Sequence, residues 1–192
     1  GSTLILSRPI FLAPGRSFNK KQNREVGKHL DFIFEDKGTT KIEVSYETLL
    51  QFKQANTPRA SDQKRGLDLT KKLNDCKVGN LGNKNLKMVK FMQNHDFNIK
   101  LNNGESLEEV ASRISDVINK IIYLNKKAVV FTHRRTLLGF LIRHGKAAYN
   151  LEDDLVIEFN DKVIYDDTDK DVDIVKVTVE NKKIVDIDVI DF

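Results

Sequence analysis

The period of apolar and polar positions changes several times along the chain, and each change predicts an element. Thr3-Leu4-Ile5-Leu6 is a short apolar run that stops at Ser7-Arg8-Pro9. Proline lacks the N–H that a ladder needs, so the run reads as a buried strand. Ala13-Pro14-Gly15 is loop punctuation. Val26, Leu30, Ile33 and Phe34 fall at helical spacing, and Lys37-Gly38 ends that helix. Ile42 and Val44 predict a short strand, and Tyr46 to Phe52 a short helix capped by Ser45. Asp62 is expected to cap a further helix, with Leu69 and Leu73 one turn apart on its buried side. Two glycines and four asparagines between Asn74 and Asn85 predict loop. Leu86, Val89 and Met92 predict another short helix.

The second half carries the stronger patterns. Ser106-Leu107-Glu108-Glu109 is a capping box, in which serine hydroxyl and glutamate carboxylate each satisfy an orphan backbone N–H. Behind it Leu107, Val110, Ile114, Val117 and Ile121 recur every three or four residues, an amphipathic helix. Ala128-Val129-Val130-Phe131 is a continuous apolar run typical of a central parallel strand, with Thr132-His133-Arg134-Arg135 as the turn at its carboxyl end. Leu137, Leu138, Phe140 and Leu141 predict the next helix, closed by Gly145. Beyond it Leu155–Phe159, Val163–Tyr165, Val172–Val179 and Ile184–Ile190 alternate as strands, with Glu180-Asn181-Lys182 as a hairpin turn. Alternating strands and helices followed by terminal strands predict one α/β domain with a mostly parallel sheet.

Composition narrows the picture without changing it. The 192 residues suit one domain, and 40% hydrophobic with 31% charged residues is an ordinary globular balance. No apolar run approaches the ~18–20 residues that a membrane helix needs. The 32 Lys+Arg against 28 Asp+Glu give a net charge of +4, but the lysines are interleaved with acids, so a nucleic-acid partner is not expected. The single cysteine, Cys76, has no intramolecular partner, which favours a reducing compartment such as the cytoplasm. Gly1-Ser2 reads as a cloning remnant, so the lack of a leader is uninformative.

In sheets of this kind ligands bind beyond the carboxyl ends of the strands. Two such ends carry candidates: Ser7-Arg8-Pro9 and Thr132-His133-Arg134. A histidine at a strand–helix junction lies beside free backbone N–H groups, a ready anion site, although taken alone His133 reads first as a helix cap or a surface residue. His29, His95, His133 and His144 lack any metal-ligand spacing. No Walker loop and no Gly-x-Ser-x-Gly elbow is present. Cys76, beside Lys77, reads either as a thiol of lowered pKa or as inert.

Three segments, in order and in register, resemble the histidine phosphatase superfamily, the phosphoglycerate mutase-like proteins. Asn103-Gly104-Glu105-Ser106-Leu107-Glu108-Glu109-Val110 with Arg113 is similar to that family's Gly-Glu-Ser helix start followed by Glu-Val and Arg. Val129-Val130-Phe131-Thr132-His133 is similar to its strand ending in Ser/Thr-His-Gly. The stretch from Ala60 to Thr70 resembles its Ser-Ser-Pro-Leu-Lys-Arg-Ala segment, and the likeness is good from about residue 55 to 145. The resemblance implies a three-layer sandwich, a mostly parallel central sheet flanked by helices. It also implies a mechanism in which a histidine of an Arg-His-Gly turn attacks phosphorus, cationic side chains neutralise the phosphoryl oxygens and a carboxylic acid protonates the leaving oxygen. Carried over, Arg8 matches the arginine of that turn, Arg65 the arginine of the second segment and His133 the second histidine. The nucleophile position is Pro9, and Ile10 stands for the following glycine. Arg134 replaces the glycine after the second histidine, and is expected to add a phosphate contact or to fill the pocket. For the acid only Asp75 is offered, which otherwise reads as a solvated loop carboxylate; Arg143-His144-Gly145 copies the lost tripeptide but falls at a helix end.

The expectation is therefore a single histidine phosphatase-like domain over residues 1–192 that has lost phosphohistidine chemistry. It keeps an anion pocket of Arg8, Arg65, His133 and Arg134 for a phosphorylated metabolite, phosphate or sulfate, with no cofactor and no metal. One alternative is an active phosphomonoesterase using His133, or another histidine under a different alignment of the first strand, with Asp75 as the acid. The other is a non-catalytic module that binds a protein partner.

Overall fold

The computed structural model describes residues 2–7, 40–45, 67–124, 127–168 and 174–189. The fold is α/β. A larger sheet has the order β3-β2-β4-β1-β8-β9, built from β1 (Ser2–Ser7), β2 (Thr40–Ser45), β3 (Leu67–Thr70), β4 (Lys127–Phe131), β8 (Ile174–Glu180) and β9 (Lys183–Val189). A smaller sheet has the order β5-β6-β7, from Lys146–Tyr149, Leu155–Phe159 and Lys162–Asp166. The helices are α1 (Leu86–His95), α2 (Leu107–Leu124) and α3 (Arg134–His144), with a 3-10 turn at Lys71–Leu73.

The apolar runs at the first strand and at residues 128–131 are neighbours in the middle of the larger sheet, parallel and in register from Leu4 opposite Ala128 to Ser7 opposite Phe131. β2 pairs in parallel with both β3 and β4. The larger sheet joins four parallel strands, β3, β2, β4 and β1, to an antiparallel end, because β8 runs antiparallel to β1 and β9 antiparallel to β8; the separate β5–β7 sheet is wholly antiparallel. The β8–β9 turn places Asn181 and Lys182 at φ 51° and 61°, the left-handed pair that lets a two-residue hairpin match strand twist.

Leu69 and Leu73 do not share a helix. Leu67-Asp68-Leu69-Thr70 alternates with period two and takes its ladder bonds from β2, so the backbone is strand until Thr70. The helices expected over residues 26–34 and 46–52 lie outside the described residues.

The core is built on α2. Leu107, Val110, Ala111, Ile114, Ile118 and Ile121 are fully buried, each large apolar side chain contributing about 1.5–3 kcal/mol. α3 packs against this stripe with Leu137, Leu138, Phe140 and Leu141, and the helices cross closely at Gly139, where a Cβ would stand 3.0 Å from the Ala111 nitrogen. Gly145 caps α3, its N–H donating to the Leu141 carbonyl at 2.8 Å. Among the described residues no helix is long and apolar enough to cross a membrane.

Candidate anion-binding site

The carboxyl ends of β1, β4 and β2 lie side by side, Ser7 and Val44 both opposite Phe131. From β4 the chain turns through Thr132 and His133 into α3. His133 is the N-cap residue, with extended backbone at φ −121° and ψ 158°, and its carbonyl accepts the Leu137 N–H at 2.8 Å. The capping is done by backbone alone: the half-buried imidazole makes no capping hydrogen bond.

Two threonine hydroxyls bind the neighbouring loop to this turn. Thr132 Oγ1 donates to the Leu73 carbonyl at 2.8 Å, and Thr136 Oγ1 to the Asn74 carbonyl at 2.7 Å. Both threonines are fully buried, where an unpaired hydroxyl would cost free energy, so the two bonds are specific staples. They bring Asp75 to the His133 end of the sheet. Asp75 itself is exposed, with Oδ1 accepting the Cys76 N–H at 2.8 Å.

The Gly-Glu-Ser segment and Arg113 form the other side of the same frame. Arg113 Nε donates to Glu105 Oε2 at 2.8 Å and Nη2 to Oε1 at 3.1 Å, a side-on pair. The guanidinium also donates to the carbonyls of Lys72 and Asp75, at 2.7 and 3.0 Å. Glu105 Oε1 accepts the Lys77 N–H at 3.0 Å. Burial opposes ionisation of Glu105, but the Arg113 and Lys77 hydrogen bonds and their charges outweigh it and hold its pKa below the usual value. These motif residues therefore do structural work, fixing the Asp75 loop against the start of α2. The capping box is formed on its serine side, Ser106 Oγ accepting the Glu109 N–H at 3.1 Å, while the Glu109 carboxylate pairs with Lys100.

Arg134 and Arg135 open α3 in different directions. Arg134 Nη2 donates to the Asp166 carbonyl at 3.4 Å, and its guanidinium carbon lies 5.1 Å from the Tyr165 ring centroid. Arg135 reaches α1, with Nη1 on Asn94 Oδ1 at 3.1 Å and Nη2 on Gln93 Oε1 at 3.2 Å. Between α1, the first turn of α3 and β7 lies a cleft of about 670 Å³, lined by both arginines with Lys87, Lys90, Phe91 and Tyr165. Cys76 is buried beneath this region; burial pushes its thiol pKa up despite the Arg135 charge, so the activated-thiol reading fails.

Of the residues that the sequence nominated, the structure brings His133, Arg134 and Asp75 to one end of the larger sheet. Arg8, Pro9 and Arg65 lie outside the described residues; β1 ends at Ser7, opposite Phe131. His144 closes α3 and Gly145 follows as its cap, as read from the sequence. Among the described residues no group of three or more His, Cys, Asp or Glu side chains could hold a metal. Thr136, Arg135, Lys87 and Lys90 were not nominated; only their clustering in space singles them out.

The Glu105–Arg113 frame and the His133 turn after a central parallel strand sit in an α/β fold that is similar to a solved phosphatase structure. Among solved structures, the native mycobacterial glucosyl-3-phosphoglycerate phosphatase aligns with a TM-score of 0.54 at 10% identity, over 98% of this chain and 98% of that one. A protein from an open reading frame of Mycobacterium tuberculosis aligns with a TM-score of 0.48 at 13% identity, over 83% of this chain and 96% of that one. At this identity the first likeness is one of fold. No family model matches the chain. No curated protein matches it either.

Proposed function

We propose that the chain is a single histidine phosphatase-fold domain, with helices on both faces of its larger sheet, that binds a phosphorylated small molecule, phosphate or sulfate without forming a phosphohistidine. The observation that carries this reading is the register of β1 on β4. The paired strands end at Ser7 and Phe131, so Pro9 and His133 each follow two residues beyond the pair. An in-line transfer through histidine needs an imidazole at the first of these positions, and a prolyl ring has no nucleophilic atom. Arg8, Arg65, His133 and Arg134 remain as donors for phosphoryl oxygens, the arginines with the fork geometry that binds them two at a time. The single cysteine suits a reducing, cytoplasmic setting.

The stapling of the Asp75 loop to the His133 turn favours a second reading, a phosphomonoesterase with His133 as nucleophile and Asp75 as acid. One pair of measurements separates the two. Thermal unfolding in increasing phosphate, against chloride at equal ionic strength, is expected to shift upward for wild type and not for Arg65→Ala; a hundredfold excess over Kd corresponds to about 2.7 kcal/mol. Turnover of an aryl phosphate across pH 5–8 is expected to be absent. A rate of ~1 s⁻¹ or more, abolished in His133→Ala and in Asp75→Asn, establishes the phosphomonoesterase. No stabilisation by phosphate, or equal stabilisation of Arg65→Ala, ends the clamp reading.

A further inference from the structure

The cleft between α1 and the small sheet has the chemistry of a binding site in its own right, and among the described residues Arg134 is the one it shares with the proposed clamp. Lys87 and Lys90 lie three positions apart on α1, and both line the cleft. Among the described residues neither ammonium is paired with a carboxylate. Among the described residues Arg135 donates its terminal nitrogens to two neutral oxygens, those of Asn94 and Gln93, and meets no carboxylate. Among the described residues four cationic side chains thus meet two carboxylates, Asp154 and Asp167, and Asp167 already accepts the Tyr165 hydroxyl at 2.7 Å. Flat apolar surface is present as well. Phe91 is 43% exposed, and Tyr165 carries the Arg134 guanidinium over its face.

Lysines on an exposed helix are commonly solvated and need no partner. This pair differs because it converges with the side chains of Arg134 and Arg135 on a concave surface of small-molecule size, about 670 Å³. Like charges held together repel, and an anion placed among them relieves that repulsion while accepting their hydrogen bonds. We infer that the cleft binds a small organic anion, with a phosphate, phosphonate or carboxylate group among Lys87, Lys90 and Arg135 and a flat apolar body against Phe91 and the Arg134–Tyr165 stack. The site is independent of phosphohistidine chemistry and stands whether or not the clamp does.

Phenylphosphonate is a suitable probe, because it carries both halves and cannot be hydrolysed as an ester. Binding to the full chain is measured by titration calorimetry and by amide chemical-shift changes. Saturable binding is expected, with shifts at Leu86–Asn94 and at Arg134 and Arg135. Lys87→Ala/Lys90→Ala, whose thermal midpoint reports that it remains folded, is expected to weaken binding about tenfold or more, since a charge-assisted hydrogen bond is worth a factor of that order. Added KCl weakens binding in wild type. Arg65→Ala removes only binding that belongs to the clamp and leaves the shifts at Leu86–Asn94, which separates failure of this site from failure of the clamp. The inference is overturned if wild type shows no saturable shifts at Leu86–Asn94, if the double variant keeps those shifts at wild-type affinity, or if they are lost in Arg65→Ala instead. Equal affinity for neutral benzyl alcohol overturns it too.

Discussion

Gly104 and Gly79 set how closely the loop before α2 can cross the loop after β3. A Cβ on Gly104 would stand 2.4 Å from the Val78 carbonyl oxygen, and one on Gly79 2.6 Å from both Asn102 O and Gly104 N. The crossing is hydrogen-bonded on both sides, Asn80 N to Asn102 O at 2.9 Å and Glu105 N to Lys77 O at 2.8 Å, so backbone would have to move. Gly79 also holds φ +87°, a conformation that side chains disfavour. Gly82 is the internal control: its φ is +57°, but nothing lies within 4 Å of an added Cβ. Gly104→Ala is expected to cost about 1–3 kcal/mol through overpacking alone, Gly79→Ala more than that, and Gly82→Ala about 1 kcal/mol of backbone strain. Urea unfolding of the three variants checks the order. A Gly82→Ala loss equal to that of Gly79→Ala would show that strain, and not the crossing, governs this segment.

At the scale of elements, α1 is joined to the small sheet by a ring cluster. His95 stacks on Tyr149 with centroids 4.7 Å apart, its Nδ1 bonds the Phe91 carbonyl at 2.8 Å, and its Nε2 lies 3.1 Å from Asp153 Oδ2. Tyr149 in turn donates its hydroxyl to the Asn94 carbonyl at 2.7 Å. Only the protonated imidazole donates to both oxygens at once. The Phe91 carbonyl, with Asp153, therefore raises the His95 pKa above its ordinary 6.5. A raised folded pKa means that this stabilisation is full below 6.5 and is lost as pH rises through the folded value. His144 works in the opposite sense, since burial and Arg143 lower its pKa, so its contribution is lost as pH falls. The comparison that isolates the joint is His95→Gln against wild type. The wild-type advantage in thermal midpoint is expected to shrink as pH rises from about 6 to about 8, the side of the ordinary histidine pKa on which the proton leaves; an advantage that grows with pH contradicts the assignment. These elements also show what sequence can and cannot convey. The first strand, β4 and α2 are legible because long apolar runs and a sustained 3.6 period are local signals. Leu69 and Leu73 mimic one helical turn, and only pairing with β2, distant in sequence, makes Leu67–Thr70 a strand. Lys146–Tyr149 has alanines and no strand signature, and is ordered by its partner β6. α1 is legible as a helix, but its inward face is not: Met92 is 45% exposed whereas Gln93 and Asn94 are buried, because they hold Arg135 from another helix. The His133 turn is legible for the same reason as β4. The Lys87–Arg135 cleft joins three elements that no local pattern links.

At the scale of the whole molecule, the order of the larger sheet makes its first strand depend on its last two. β1 lies between β4 and β8, and Leu4 faces Ala128 on one side and Val177 on the other. Those partners come late in the chain, so the centre of the sheet is built from contacts far apart in sequence, a topology expected to fold slowly. The hairpin contributes Val175, Val177, Val179 and Ile187 to the core, all buried. Its outer strand is guarded by charge: Asp186 and Asp188 of β9 both pair with Lys162 of β7, at 2.8 and 2.7 Å, which discourages another strand from adding there. β1 has no such guard, since Thr3-Leu4-Ile5-Leu6 is uncharged throughout. A chain ending after Thr168 would turn that run into an exposed edge with a full row of unpaired N–H and C=O groups, the arrangement that recruits further strands. We expect it to run as larger species than the full chain on size-exclusion chromatography at equal concentration and to lose a cooperative thermal transition. Lys162→Ala, which loosens the charged edge but leaves β8 on β1, should elute with the full chain. If the shortened chain instead elutes in its expected place and unfolds near the full-length midpoint, the hairpin is an appendage, and the parallel strands alone hold the end of the sheet where His133 lies.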